Sequence, residues 1–143
     1  MRLWHKDLIP YLPKNQLLGQ WREICCIAKN IANNGTPNHI LVNKVLDYPS
    51  IHFITYANMI TTEMKKRNYK ISEKSYLRLC ENIRCAYPYF NKDSFLIIKN
   101  NKVFPDWHNT RYLRQCLYNL EEKYDCGGIS KEEWNNITRN FYI

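Results

Sequence analysis

The chain has 143 residues, of which 45% are hydrophobic, and this favours a single domain with its own core. Lys and Arg number 21 against 13 Asp and Glu, so the net charge of +8 favours an acidic partner, nucleic acid first among them. No run approaches the roughly 20 apolar residues of a membrane span, and no signal-peptide pattern is present, so we expect a cytoplasmic protein without a membrane partner.

The cysteines and histidines show neither a disulfide pattern nor a metal pattern. The six cysteines fall within apolar, periodic segments, as reduced core thiols do, and they are Cys25, Cys26, Cys80, Cys85, Cys116 and Cys126. Zinc would need paired ligands at short regular spacing, which the scattered histidines and Cys25-Cys26 do not supply. We therefore expect no disulfide bond, no metal and no other cofactor.

The first predicted helix follows Pro13 and ends at Gly35. Its apolar positions recur at steps of three and four residues and are Leu17, Trp21, Ile24, Ala28 and Ile31. The opposite face is polar and carries Asn15, Gln16, Gly19, Gln20, Arg22 and Glu23. The glycine on this face would let another group approach the helix backbone closely.

The middle of the chain predicts a connection and two more helices. Residues 33–50 form mostly loop, with one helical turn around Leu41 to Leu46. A helix is predicted from about Ile51 to Arg67, where Lys65, Lys66 and Arg67 either contact phosphates or form a solvated helix end. Ser72 is a plausible N-cap for a third helix that stops before Pro88.

The segment after Pro88 is the one place where a strand pair is predicted, with Phe95 to Ile98 and Val103-Phe104 flanking Asn100-Asn101. The aromatic residues of this region either stack an extruded base or form core, and core is favoured; they are Tyr87, Tyr89, Phe90, Phe104 and Trp107. His52 and His108 have no paired carboxylate, and we expect both to be hydrogen-bonded structural residues.

Two helices are predicted near the end of the chain. Asn109 or Thr110 caps the first, on which Arg111 and Arg114 again either contact phosphates or are solvated. Ser130 opens a capping box with Glu133 that begins the last helix. Together the elements predict an all-α, compact, single-domain bundle of about four to five helices with long loops, spanning residues 1–143.

The chain start and the polar face of the first helix hold the residues that could carry chemistry. A free α-amine has an ordinary pKa of about 7.7 to 8.0, several units below that of lysine, so a useful fraction is nucleophilic near neutral pH. Such an amine can attack a sugar C1′ and form a Schiff base, and a carboxylate such as Glu23 can move the protons. An Arg-Glu pair on a helix face is by itself most often solvated surface.

The opening MRLWHKDLIPYLPKNQLLGQWREICC resembles the N-terminal signature of the pyrimidine-dimer DNA glycosylase/AP lyase family. In that family an Arg follows the N-terminal nucleophile, here Arg2, and an aromatic-Arg-Glu triplet lies on the first helix, here Trp21-Arg22-Glu23. The segment MKKRNYKI at residues 64–71 and LEEKY at residues 120–124 are also similar to the family. The resemblance extends over nearly the whole chain.

The resemblance implies a role for each matching residue. The Met1 α-amine is the implied nucleophile, and Glu23 is the implied acidic catalyst. The implied DNA contacts are Arg2, Arg22 and Lys123 at phosphates, and Asn15 or Gln16 near the lesion. Arg2 is too large for ordinary removal of the initiator Met, so Met1 itself would supply the amine. Two cationic positions of the family are occupied by Cys26 and Asn119.

The implied function is a cofactor-independent DNA repair glycosylase with AP lyase activity, acting through a Schiff base on pyrimidine dimers or abasic sites. Its partner would be damaged duplex DNA, and we expect a monomer. One alternative keeps the amine chemistry and changes the lesion. The other is a non-catalytic helical DNA- or RNA-binding protein.

Overall fold

The computed structural model describes residues 1–92 and 97–141, and these contain five α-helices and no β-strand. The helices are α1 (Lys14–Asn34), α2 (Ser50–Lys66), α3 (Glu73–Ala86), α4 (Thr110–Asp125) and α5 (Lys131–Asn140). Short 3-10 helices cover Lys6–Tyr11, Asn43–Asp47, Tyr87–Tyr89 and Asn100–Lys102. The predicted all-α class is confirmed, and no helix in these two ranges is both long and apolar enough to cross a membrane.

The helix ends follow the local signals of the sequence. Gly35 closes α1 with φ of 77°, a left-handed conformation that only glycine adopts at little cost. Ser72 and Asn109 cap α3 and α4 by accepting hydrogen bonds from backbone N–H groups. Ser130 and Glu133 form the predicted capping box at the start of α5.

The core lies where α1 packs against α2 and α3. The five apolar positions predicted on α1 are all buried, and on α2 the buried residues include Phe53, Tyr56 and Ile60. The chain start joins the same core, because Leu3 and Leu8 are fully buried. This burial holds the first residues against the helices and so positions the site described below.

Arg67 fixes the 3-10 helix Lys6–Tyr11, which the sequence did not predict. Its guanidinium donates to the carbonyl oxygens of Leu12 at 2.7 Å, Pro10 at 3.1 Å and Ile9 at 3.3 Å. It also forms an ion pair with Glu63 at 2.8 Å. Arg67 therefore has a structural role that neither predicted alternative, a phosphate contact or a solvated helix end, includes.

The predicted hairpin is wrong in the part that the structure describes. Asn100–Lys102 forms a 3-10 helix, and Phe104 has a φ of 47°, which is incompatible with an extended strand. The N–H of Phe104 donates to His52 Nδ1 at 3.0 Å, so it is not available to a strand partner. Phe95 and Leu96, which belong to the predicted first strand, lie outside the described residues.

The aromatic residues around this segment divide between core and surface. Phe90, Phe104 and Trp107 are at most 6% exposed, which confirms their assignment to the core. That assignment is wrong for Tyr87 and Tyr89, which are 56% and 50% exposed, because they lie on a 3-10 turn at the end of α3.

All six cysteines are free thiols, but their expected burial is correct only in part. Cys116 is buried and Cys25 is half-buried. The remaining four are exposed, because they lie on the solvent sides of α1 and α3 or just after α4; they are Cys26, Cys80, Cys85 and Cys126.

Candidate active site

The first residues of the chain are fixed by hydrogen bonds to three helices. On α1, Gln20 Oε1 accepts from the N–H of Trp4 at 2.7 Å, and Gln20 Nε2 donates to the carbonyl oxygen of Arg2 at 2.7 Å. From α2, the hydroxyl of Tyr56 donates to the carbonyl oxygen of Trp4 at 2.6 Å. From α4, the hydroxyl of Tyr112 donates to the carbonyl oxygen of Leu3 at 2.6 Å. The chain start is therefore an ordered part of the fold.

The Glu23 carboxylate lies directly beside the start of the chain. The backbone N–H of Arg2 donates to Glu23 Oε2 at 3.2 Å. The nitrogen of Met1 is three covalent bonds away from the nitrogen of Arg2, which standard backbone dimensions limit to about 3.7 Å. The Met1 amine therefore lies within about 7 Å of Glu23 Oε2. The fold brings these two predicted residues to one place.

The Arg2 side chain lies between two aromatic rings. Its guanidinium carbon is 5.5 Å from the ring centre of Trp4 and 5.7 Å from that of Tyr112, and Nη1 is 3.7 Å from Cys116 Sγ. Burial raises the pKa of the Tyr112 phenol and of the Cys116 thiol above their ordinary values. Both groups are therefore neutral near pH 7, and Arg2 has no carboxylate partner within the described chain.

A cationic groove of about 330 Å³ runs between α1 and α3, and Arg22, the neighbour of Glu23 in the chain, is part of its lining. Its lining includes the cations Arg22, Lys29 and Arg78, with Trp21 and Leu79 among the apolar residues and no carboxylate. In the described parts of the chain none of these three cations forms an ion pair. Uncompensated charges on two facing helices would favour a bound polyanion.

The other predicted DNA contacts lie on α1 and α4 without touching the carboxylate. Asn15 is exposed and Gln16 is half-buried in the first turns of α1. The Oε1 atom of Gln16 is buried and has no hydrogen-bond partner among the described residues. Lys123 is exposed in the last turn of α4, two turns and about 10 Å along the helix from Cys116.

The sequence did not identify Gln20, Tyr56 and Tyr112 as site residues. The helical periodicity places Gln20 only on the polar face of α1, yet it is 1% exposed. The sequence signal that could have identified Gln20 is its spacing, since it lies nearly one turn before Glu23 on the polar face of α1. The helical pattern predicts that Tyr56 is a core residue. Hydrophobic periodicity does not show which buried hydroxyl forms a hydrogen bond with a distant residue.

The histidines have structural roles, as predicted for His52 and His108. His52 Nδ1 accepts from the N–H of Phe104, and His108 Nδ1 accepts from the N–H of Lys6, both at 3.0 Å. Burial, together with the nearby His5 and Lys6, lowers the pKa of His108 to about 2, so it is neutral near pH 7. In residues 1–92 and 97–141 no group of three or more His, Cys, Asp and Glu is arranged to hold a metal ion.

Fold and site together define a class: a small, basic, all-α protein that holds its chain start against a carboxylate and has a cationic groove between two helices. A model of the family described as pyrimidine dimer DNA glycosylase matches residues 1–77, more than half of the chain. The chain belongs to this family of DNA glycosylases. The matched residues include Arg2, Gln20 and Glu23 and exclude α4. Neither a search of curated proteins nor one of solved structures found a match.

Proposed function

We propose that this protein is a bifunctional DNA glycosylase and AP lyase that acts on pyrimidine dimers, or on other damaged or abasic sites, in duplex DNA. The observation that best supports this proposal is the hydrogen bond of 3.2 Å between the Arg2 N–H and Glu23 Oε2, which places the start of the chain beside a carboxylate. The nucleophile is the α-amine of Met1, and the acid-base group is Glu23.

The proposed chemistry uses one amine and one carboxylate. The neutral amine attacks C1′ of the damaged nucleotide, an N–C1′ bond forms, and the glycosidic bond breaks with its electron pair on the departing base. Glu23 accepts the proton that the amine loses and returns a proton as the sugar ring opens, which leaves an imine between Met1 and C1′. Glu23, ionised again, then takes the C2′ proton, the C–H electron pair forms a C2′–C3′ double bond, and the 3′ phosphate leaves with the C3′–O electron pair. Water hydrolyses the imine and releases the Met1 amine.

The proposed DNA contacts are made by cationic and polar side chains around Met1 and Glu23. Arg2, fixed between its two rings, would bind a phosphate next to the lesion, and Arg22 would bind one at the end of the cationic groove. Lys123 would contact the backbone farther along, and Asn15 or Gln16 would contact the lesion region. These contacts would align the damaged nucleotide with the amine.

The cationic groove by itself would also suit a non-catalytic DNA- or RNA-binding protein. Covalent trapping separates the two functions, because only an imine is reduced to a stable adduct by borohydride. The protein is incubated with duplexes that contain a pyrimidine dimer, an abasic site or no damage, and borohydride is added. We expect adducts with the first two duplexes only.

Two variants complete this test. Glu23→Gln should abolish or strongly reduce the adduct, and a short N-terminal extension should do the same because it converts the amine to an amide. An adduct that forms equally well in both variants would overturn the proposed mechanism. Trapping on the abasic duplex alone would retain the amine chemistry and reject the dimer as substrate.

A further inference from the structure

We infer that Gln20 is a positioning residue that fixes Oε2 of Glu23 and leaves Oε1 of the same carboxylate for proton transfer. This inference rests on the proposed function, because it assigns separate roles to the two oxygens of the proposed acid-base group. It also extends the site to Tyr56, which lies on α2 and holds Gln20 in turn.

Every hydrogen-bonding position of the Gln20 amide is used. Nε2 donates to the carbonyl oxygen of Arg2 at 2.7 Å and to Glu23 Oε2 at 3.2 Å. Oε1 accepts from the N–H of Trp4 at 2.7 Å and from the hydroxyl of Tyr56 at 2.8 Å. The side chain is 1% exposed, so water does not compete for these bonds. One amide therefore joins the chain start, the carboxylate and α2.

The two oxygens of Glu23 differ in their environment as a result. Oε2 receives N–H groups from both Arg2 and Gln20, each at 3.2 Å. No residue in the described parts of the chain donates a hydrogen bond to Oε1. Two donors on one oxygen restrict rotation of the carboxylate, so Oε1 keeps a constant position relative to the Met1 amine. Oε1 is then the oxygen that exchanges protons with the amine and the sugar.

The backbone of the chain start determines which end of the Gln20 amide faces Glu23. The Tyr56 hydroxyl donates to the carbonyl oxygen of Trp4 at 2.6 Å and lies 2.8 Å from Gln20 Oε1, so it packs against the oxygen end of the amide. Burial raises the pKa of the Tyr56 phenol well above its ordinary value, so the group stays a donor. The Trp4 N–H can only donate, so it requires Oε1 of Gln20 beside it, and the Arg2 carbonyl oxygen can only accept, so it requires Nε2. The NH₂ group therefore points towards Glu23.

Gln20→Glu tests this inference, because the new side chain has nearly the same shape but no N–H donor when ionised. We expect kcat for excision and the rate of borohydride trapping to fall on the order of 10²-fold, with KM little changed. This is the effect expected when a catalytic group, here the Glu23 carboxylate, is moved out of position. The acidic limb of the profile of kcat against pH should also move to higher pH. The new carboxylate at position 20 lies next to Glu23, and two adjacent carboxylates are not readily ionised together. Gln115→Glu, an exposed change of equal charge on α4, is the control for net charge.

Tyr56→Phe removes one oxygen and provides a second test if Gln20→Glu does not fold. It should lower kcat by a smaller factor, again without raising KM. Two results would overturn the role of Gln20 while the proposed function stands. One is a kcat equal to that of the wild type in both variants, and the other is an unchanged pH profile in a folded Gln20→Glu protein. Failure of the wild-type protein itself to form an adduct would overturn both.

Discussion

The backbone N–H of Arg2 donates a hydrogen bond to Oε2 of Glu23 across 21 positions of the chain. The first residues of most domains are poorly ordered unless something holds them. Here the second residue is hydrogen-bonded to a helix, and the third is fully buried. An ordered N-terminal amine is what a mechanism that uses this amine as nucleophile requires.

Glu23→Gln should remove the proposed acid-base group with little change in shape. We expect the rate of adduct formation to fall on the order of 10² to 10⁴-fold, the usual contribution of a positioned acid or base. The measurement is single-turnover trapping on an abasic duplex. Glu122→Gln, an exposed change on α4, is the matched control, and an equal loss in this control would point to net charge instead.

Lys29→Ala and Arg78→Ala should weaken DNA binding through the cationic groove. Each phosphate contact that is lost should reduce the slope of log affinity against log salt by about 0.9, whether or not the duplex is damaged. The slope is measured on undamaged duplex at several salt concentrations. Lys131→Ala removes an exposed cation of α5, outside the lining of the groove, and should leave the slope nearly unchanged; an equal effect would show that the groove is not special.

The stability of the protein should fall as the pH drops below about 6.5, the ordinary pKa of histidine. Burial lowers the pKa of His108 to about 2 in the folded protein, so below pH 6.5 the unfolded chain binds a proton that the folded protein does not. The free energy of unfolding should then decrease by about 1.4 kcal/mol per pH unit from this group, and the contribution is fully present above pH 6.5.

Urea unfolding at pH 7.5, 6 and 5 measures this dependence. His108→Gln should have a smaller pH slope than the wild type, and the remaining slope should come from His5 and His52, whose pKa values burial also lowers. An identical slope in the variant would show that His108 is not the group that titrates on unfolding.

Gly35→Ala should destabilise the protein, because a left-handed residue with a Cβ costs about 1 to 2 kcal/mol. The new Cβ would also lie 2.9 Å from Cε1 of Tyr89, which must then move. Gly127→Ala is the matched control, since its φ is 83° and a Cβ there would meet nothing within 4 Å. Urea unfolding should show the larger loss for Gly35→Ala, and equal losses would mean that the Tyr89 contact costs nothing.

The sequence predicts the helices well and the long-range contacts poorly, for a physical reason. The apolar spacing of α1 and the caps of α3 and α5 are local, and the structure confirms them. The 3-10 helix Lys6–Tyr11 depends instead on Arg67, whose carbonyl partners lie 55 to 58 positions away. No pattern within a helix could show that this cation is used inside the fold.

The candidate site divides in the same way. Arg2 and Glu23 were identified from a motif, and the fold places them in direct contact. Gln20 was not, because its role depends on Tyr56, 36 positions away on another helix. Tyr112 reaches the carbonyl oxygen of Leu3 across 109 positions. Such buried hydrogen bonds appear only after the helices have packed.

Peptide mapping of the borohydride-trapped adduct tests the central proposal most directly. The protein is trapped on an abasic duplex and digested, and the modified atom is located by mass spectrometry, which also shows whether Met1 is retained. The proposed mechanism predicts that the sugar remnant is attached to the α-amine of Met1. Attachment to a lysine side chain such as Lys6, or the absence of any adduct, would contradict it.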